Sequence, residues 1–251
     1  MSRLETRAHN GTVYLVGAGP GSIEMLTLRA HALISSASCL LHDDLISEAV
    51  LSLAASGALV RNVGKRCGVK TITQDEINAW MIQYAREGHS VVRLKSGDPL
   101  LFGRAAEELD ALTQAAVPFE IVPGVSAGFA GAALAELPLT GRITSSRVLF
   151  ATRHRAAGDT SGLSGIRPDV SLVLYMPGSD YPAIARELCA NAWPASTLCV
   201  LISSLGQAAQ RIESCTLREL PQVEPLPSPV VMLFRASSDH PEQNESHGNL
   251  T

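Results

Sequence analysis

The chain has 251 residues, 46% of them hydrophobic and 18% charged, with a formal net charge of −4. That balance fits a well-packed globular α/β protein, long enough for one large domain or two small ones, with no general bias toward nucleic acid or membrane. No run approaches the roughly 18 apolar residues of a membrane span, and residues Met1–Asn10 lack the apolar core of a signal peptide. The five cysteines (Cys39, Cys67, Cys189, Cys199, Cys215) form no C-x-x-C pair, which points to reduced thiols in a cytoplasm and to no metal site.

From Val13 to about Leu137, short apolar runs alternate with helical periods. The pattern predicts strands at Val13–Val16, Ser38–His42, Leu59–Val63, Val91–Lys95 and Phe119–Val122. Between them it predicts helices near Leu26–Ser36, Ser47–Ala55, Gln74–Glu87, Gly103–Ala116 and Ala127–Glu136, the third opened by a Thr73–Glu76 capping box. Such alternation implies a largely parallel sheet with flanking helices, whose functional groups gather at the carboxyl ends of the strands. Gly17, Asp43, Lys65, Asp98 and Ser126 fall at those five ends. Further on, strand-like runs at Arg147–Thr152, Ser171–Met176, Thr197–Ser203, Gln210–Cys215 and Val230–Arg235 surround one long helix at Tyr181–Asn191. Closely spaced strands imply a mixed sheet. The expected organisation is two α/β domains, 11–138 and 143–236, joined through Leu137–Gly141, followed by a disordered tail over 237–251.

The first predicted strand runs into V-G-A-G-P-G, a turn whose glycines allow close backbone approach to a ligand. A dinucleotide fingerprint starting at Gly17 needs a glycine at position 22, which is Ser22, and Pro20 removes an N–H that would face a pyrophosphate. A nicotinamide oxidoreductase is disfavoured on both counts. Four more segments share the carboxyl ends: C-L-L-H-D-D-L-I-S (Cys39–Ser47), V-G-K-R-C-G (Val63–Gly68), V-V-R-L-K-S-G-D-P-L-L-F-G-R (Val91–Arg104) and V-P-G-V-S-A (Val122–Ala127). Read alone, Asp43 is either a helix cap or a carboxylate beside a reaction centre. Lys65 is either a solvated loop charge, an anion contact or a proton donor. Asp98 is either a turn cap or an acceptor for ligand hydroxyls.

With V-G-A-G-P-G, these segments in order closely resemble the tetrapyrrole methylase family, in particular its branch acting on uroporphyrinogen III. The resemblance runs from about Thr12 to Arg235 and is strongest before Thr152. It implies S-adenosyl-L-methionine as co-substrate, bound between the two domains, and two C-methylations giving precorrin-2 for siroheme or cobalamin synthesis. It implies a homodimer and no nucleic-acid, membrane or metal partner. It further implies that Pro20, Ser96, Gly97, Asp98, Leu101, Ser126 and Ala127 line the cofactor site, with Met176 and Leu205 (or Gly206) contributed by the second domain. Asp43 would be the proton acceptor and Lys65 the proton donor.

An octacarboxylate substrate requires local positive charge. Arg61, Lys65, Arg66 and Lys70 form one cluster, and the stretch Leu137–Gly158 has Arg142, Arg147, Arg153, His154 and Arg155 without an acid. Some positions depart from the family pattern: Ser96 replaces a glycine, Asp44 an arginine, and Gly141 and Arg153 stand where a histidine and a glycine are usual. These leave the cofactor expectation intact and bear on the substrate, for which another precorrin is the alternative. Nothing substantial precedes the glycine motif, so a methyltransferase without a dehydrogenase–chelatase module is expected.

Overall fold

An unbroken apolar run suits a parallel strand covered on both faces, and β1 (Val13–Gly17) is buried along its whole length. The computed structural model of the protein describes residues 7–64, 72–142, 145–153 and 162–235. Lys65, Arg66, Lys70, His154, Arg155 and the expected tail from Ser237 to Thr251 lie outside the described residues. Both neighbours of β1 are parallel to it: β4 (Val91–Lys95) and β5 (Phe119–Val122), with Val13 opposite Val91 and Phe119. On the far side of β4 lies β2 (Cys39–His42), and β3 (Leu59–Asn62) closes that edge, so the order is β3-β2-β4-β1-β5.

Alternate residues of β1 enter different layers, as the two-residue period of a strand dictates. Tyr14 and Val16 pack with Leu40, Val92 and Leu94 against α1 (Leu28–Ile34) and α2 (Glu48–Leu51). Val13 and Leu15 pack with Leu41 and Val91 against α3 (Gln74–Arg86) and α4 (Ala105–Gln114). Hydroxyl caps begin the first three helices: Thr27, Ser47 and Thr73 each accept a backbone N–H three residues on, and Glu76 completes the capping box at Thr73. Ser47, not Asp43, is therefore the cap of α2.

α5 (Ala127–Leu134) follows β5, and the chain then divides into two compact units. One consists of the chain up to Ala130 together with Ser204–Gln210; the other runs from Gly131 to Ser203 and from Arg211 onward. In the second unit β6 (Val148–Thr152) is parallel to β7 (Ser171–Tyr175). After α6 (Tyr181–Ala190) come β8 (Leu198–Ser203), β9 (Arg211–Thr216) and β10 (Val230–Arg235), all paired antiparallel. The order β6-β7-β10-β8-β9 is a mixed sheet. Leu172, Leu174, Leu201, Met232 and Phe234 of this sheet form one core with Ile184 and Leu188 of α6. Among the described residues no helix is long and apolar enough to cross a membrane.

At the carboxyl ends of β1, β4 and β5 the backbone itself is the packing material. An ideal Cβ on Gly17 would stand 2.6 Å from Gly124 Cα and 2.6 Å from the Gly97 carbonyl oxygen; one on Gly124 would collide with that same oxygen. Three strand ends thus touch without side chains. Gly124→Ala is expected to lower stability by about 3 kcal/mol or more, because backbone has to move. Gly57→Ala meets nothing within 4 Å and suffers only its left-handed backbone (φ +83°), a cost of about 1–2 kcal/mol. Urea unfolding midpoints of the two variants check this; equal midpoints would dismiss the three-glycine contact as a constraint.

Candidate active site

Backbone hydrogen bonds lock the loops that leave β1 and β4. Ala18 N–H donates to the Lys95 carbonyl at 2.8 Å, Gly97 N–H to the Gly19 carbonyl at 2.8 Å, and Gly19 N–H to the Gly97 carbonyl at 3.3 Å. Gly19 and Gly97 both take left-handed backbone there (φ +66° and +69°), a region where a side chain is strained. Asp98 then draws in the third loop: one carboxylate oxygen accepts from Leu100 N–H at 2.8 Å and the other from Gly124 N–H at 3.0 Å. Each oxygen keeps lone-pair capacity for a further donor.

Most residues expected around the cofactor meet at this junction. Pro20 is buried between Gly19 and Gly21, Ser96 and Gly97 lead out of β4, and Leu101 N–H donates to the Asp98 carbonyl at 3.3 Å. Ser126, buried, receives Gly128 N–H on its hydroxyl at 3.4 Å, and Ala127 starts α5. Leu205 belongs to the same unit: its carbonyl oxygen is 2.7 Å from an ideal Cβ on Gly21, while an ideal Cβ on Gly206 would be 2.9 Å from Ser22 N. Two glycines therefore let the 204–210 loop lie against the first glycine turn. Ser47 ties that turn to α2, donating its hydroxyl to the Gly21 carbonyl at 2.7 Å. Met176 stands in the second unit, just past β7, 43% exposed and in left-handed backbone (φ +48°). Lys65 lies outside the described residues.

Asp43 sits one residue past β2, and its environment is ionic. Arg93 Nη2 donates to Asp43 Oδ1 at 2.6 Å, Arg93 Nε to Glu108 Oε1 at 3.0 Å, and Lys95 Nζ to the other Glu108 oxygen at 2.8 Å. The side chains of Glu108, Arg93 and Lys95 are 0%, 3% and 4% exposed, against 32% for Asp43, so the array opens to solvent through Asp43. Burial works against the Arg93 charge, but Asp43 and Glu108 outweigh it and push the guanidinium above its ordinary value. Burial first, and Arg93 next, push the Lys95 ammonium below its ordinary value, with Glu108 opposing. None of Arg93, Lys95 and Glu108 was expected as a site residue. Their signal was legible: two cations two residues apart on a strand that is otherwise apolar must share a face and must find an anion.

Beside this array, Asp44 accepts from Asn62 Nδ2 at 2.7 Å, and Asn62 Oδ1 accepts from Gly64 N–H at 2.7 Å. The carboxylate at position 44 thus latches the β2 loop to the end of β3. Beyond β4, Phe102 and Arg104 both hold left-handed backbone (φ +56°) around Gly103, whose Cβ position is 2.6 Å from the Pro99 carbonyl oxygen and 3.0 Å from Lys95 Cε. Arg104 forks onto Glu107 with contacts of 2.7 and 2.6 Å.

This combination of a doubly covered parallel sheet, glycine turns at its carboxyl ends and a carboxylate set among them defines an α/β ligand-binding class of protein. The chain belongs to the tetrapyrrole methylase family: the model for tetrapyrrole (corrin/porphyrin) methylases matches residues 12–221. It is 40% identical over 213 residues to a chloroplastic S-adenosyl-L-methionine-dependent uroporphyrinogen III methyltransferase of Arabidopsis thaliana, covering 83% of this chain and 58% of that protein. It is 40% identical over 215 residues to a siroheme synthase of Pseudomonas paraeruginosa, covering 85% of this chain and 46% of that one. The chain thus spans about half the length of the siroheme synthases it matches. A uroporphyrin-III C-methyltransferase of Thermus thermophilus, solved with S-adenosyl homocysteine, superposes with a TM-score of 0.77 at 33% identity, covering 89% of this chain and 96% of that one.

The arginines expected to meet substrate carboxylates are partly committed elsewhere. Arg61 lies over the Trp80 ring at 3.5 Å and donates to the Tyr84 hydroxyl at 2.9 Å. Arg147 pairs with Asp169, and Arg153 with Glu187 at 2.8 Å. An acid-free stretch of sequence is not acid-free in space. Arg153→Met leaves the half-buried Glu187 carboxylate without its cation and is expected to cost about 1–3 kcal/mol. The exposed Arg147→Met is expected to cost about 0.5 kcal/mol or less. Denaturant melts of the two variants make the comparison, and a neutral Arg153→Met would free that arginine for a ligand role.

Proposed function

We propose that this chain methylates uroporphyrinogen III twice from S-adenosyl-L-methionine, giving precorrin-2, and that it acts as a cytoplasmic homodimer. The observation that carries this reading is the 40% identity, over 83% of the chain, with a plant enzyme named for that methyl transfer. The junction described above suits the cofactor. Gly97 is buried, and the nearest atoms to its Cβ position, Ser126 Cα and Ala127 N, stand at 3.8 and 3.9 Å, so the backbone there leaves room for close approach. Asp98 and Ser126 offer polar contacts and Met176 an exposed thioether; with Pro20, Ser96, Leu101, Ala127 and Leu205 they form the proposed cofactor set. When bound, S-adenosyl-L-methionine supplies an electrophilic methyl group.

The acceptor is a pyrrole carbon, electron-rich and nucleophilic without deprotonation. Positive charge builds on the ring as the carbon attacks, and a proton has to leave afterwards. Asp43 meets both requirements as an anion whose Oδ1 is fixed by Arg93, so its carboxylate is held still while it stabilises charge and receives the proton. In this reading Lys65 is the proton donor; just before it in sequence, Asn62 donates to Asp44 and accepts from Gly64 N–H. The tetrapyrrole carboxylates would be met by cations such as the exposed Arg142 and, by the sequence reading, Lys65, Arg66 and Lys70, which lie outside the described residues.

Anaerobic incubation with both substrates, followed by mass spectrometry, is expected to show two methyl groups added to uroporphyrinogen III; none added, with a later precorrin accepted instead, would overturn the assignment. Asp43→Asn keeps the shape and removes the anion. Turnover is expected to fall about 10²-fold or more with cofactor affinity by calorimetry unchanged. A fully active variant would remove Asp43 from the chemistry.

A further inference from the structure

The Asp43 reading creates an electrostatic difficulty that the buried array resolves. Arg93 places its guanidinium 2.6 Å from Asp43 Oδ1. Lys95 on the same strand face adds a second cation, and Arg93 and Lys95 alone would leave two positive charges behind one carboxylate. Glu108 is the counterweight. Its two oxygens are divided between the two cations, at 3.0 Å to Arg93 and 2.8 Å to Lys95, and its side chain has no exposed surface. Arg93 is consequently shared: Nη2 to Asp43, Nε to Glu108 and Nη1 to the Leu94 carbonyl at 2.9 Å. The four charges sum to zero, and the only member with appreciable exposure is Asp43.

We infer that Glu108 is a positioning residue for Asp43: it holds Arg93 in one orientation and balances one of the two cations behind the carboxylate, so that Asp43 is fixed as the proton acceptor without an excess of positive charge behind it. This rests on the reading of Asp43 as the proton acceptor. Other titratable or charged groups lie near Asp43 among the described residues. From β2, His42 Nδ1 lies 3.0 Å from the Asp43 carbonyl oxygen; beside it Asp44 is engaged by Asn62 of β3. On the α4 side, Arg104 is held by Glu107 and also feels Glu108.

The inference makes a signed test possible with the full chain, reading kcat against pH for methyl transfer to uroporphyrinogen III. Glu108→Gln removes a negative charge behind Asp43, so the acid limb of the profile is expected to move down by about one pH unit and kcat to fall. Lys95→Met removes a positive charge while keeping most of the stem's packing, so the limb is expected to move up by a similar amount. A purely structural role would give neither limb movement nor opposite signs. Limbs that stay put, or move the same way, overturn the inference. If Glu108→Gln does not fold, Lys95→Met decides alone, and an unmoved or lowered limb is the overturning result. Asp43→Asn separates the two levels of the argument. Full turnover in that variant, or an unchanged acid limb, sinks the Asp43 reading itself; slow turnover and a lost limb, with no opposed shifts in the other variants, sink only the role of Glu108. The double variant Asp43→Asn/Glu108→Gln is expected to be no slower than Asp43→Asn, and a further drop beyond about threefold would also overturn the inference.

Discussion

A carboxylate with no exposed surface sits between two cations, and the first unit is organised around it. Glu108 has its charge removed from water, a loss of several kcal/mol that only close, well-directed partners offset. Arg93 and Lys95 supply them from the central strand β4, which in turn could not carry two inward cations without an anion from the α4 layer. Neither element fits its place without the other. Because Arg93 has donors left over, the pairing continues to Asp43 at the end of β2. A requirement of the core thereby fixes the orientation of a group at the surface. Buried ion pairs are weak evidence for stability; here the consequence that matters is directional.

The three-glycine contact does for the loops what Glu108 does for the charges. With Gly17, Gly97 and Gly124 in backbone contact, and Asp98 holding Gly124 N–H, the loops after β1, β4 and β5 have little independent freedom. A binding surface built on them is set before a ligand arrives, so less ordering entropy opposes binding. Asp98 has two duties in this account, one to its own loops and one proposed toward the cofactor. Changing it would disturb both.

Much of this architecture was legible in the chain. Short apolar runs, the helical periods between them and the Thr73–Glu76 capping box located most elements to within a few residues, since all reflect local chemistry: burial of strands, amphipathic helix faces and a hydroxyl reaching an orphan N–H. The glycine turns were visible as sites of close approach. Strand order and charge pairing were not. Arg147 and Arg153 look unopposed because their partners, Asp169 and Glu187, come from distant stretches. Leu205 sits between two strands of the second sheet in sequence, yet Gly206 and Gly21 let its loop join the first unit. Arg93 and Lys95 were different: two charges on a buried strand announce a partner, even though nothing local says it is Glu108 rather than Glu107.

The order β3-β2-β4-β1-β5 also has a meaning in time. During synthesis β1 leaves the ribosome first among the described strands, but its two neighbours begin at Val91 and Phe119. β2 and β3 can pair early; β1 and the glycine turn behind it have no strand to join until β4 is made, and the contact with Gly124 closes only after β5. The first of the described strands is therefore among the last to be seated. Non-local pairing of this kind slows folding and leaves an apolar strand uncovered in the meantime. The part of the unit proposed to meet the cofactor is also the part most in need of protection while the chain is being made.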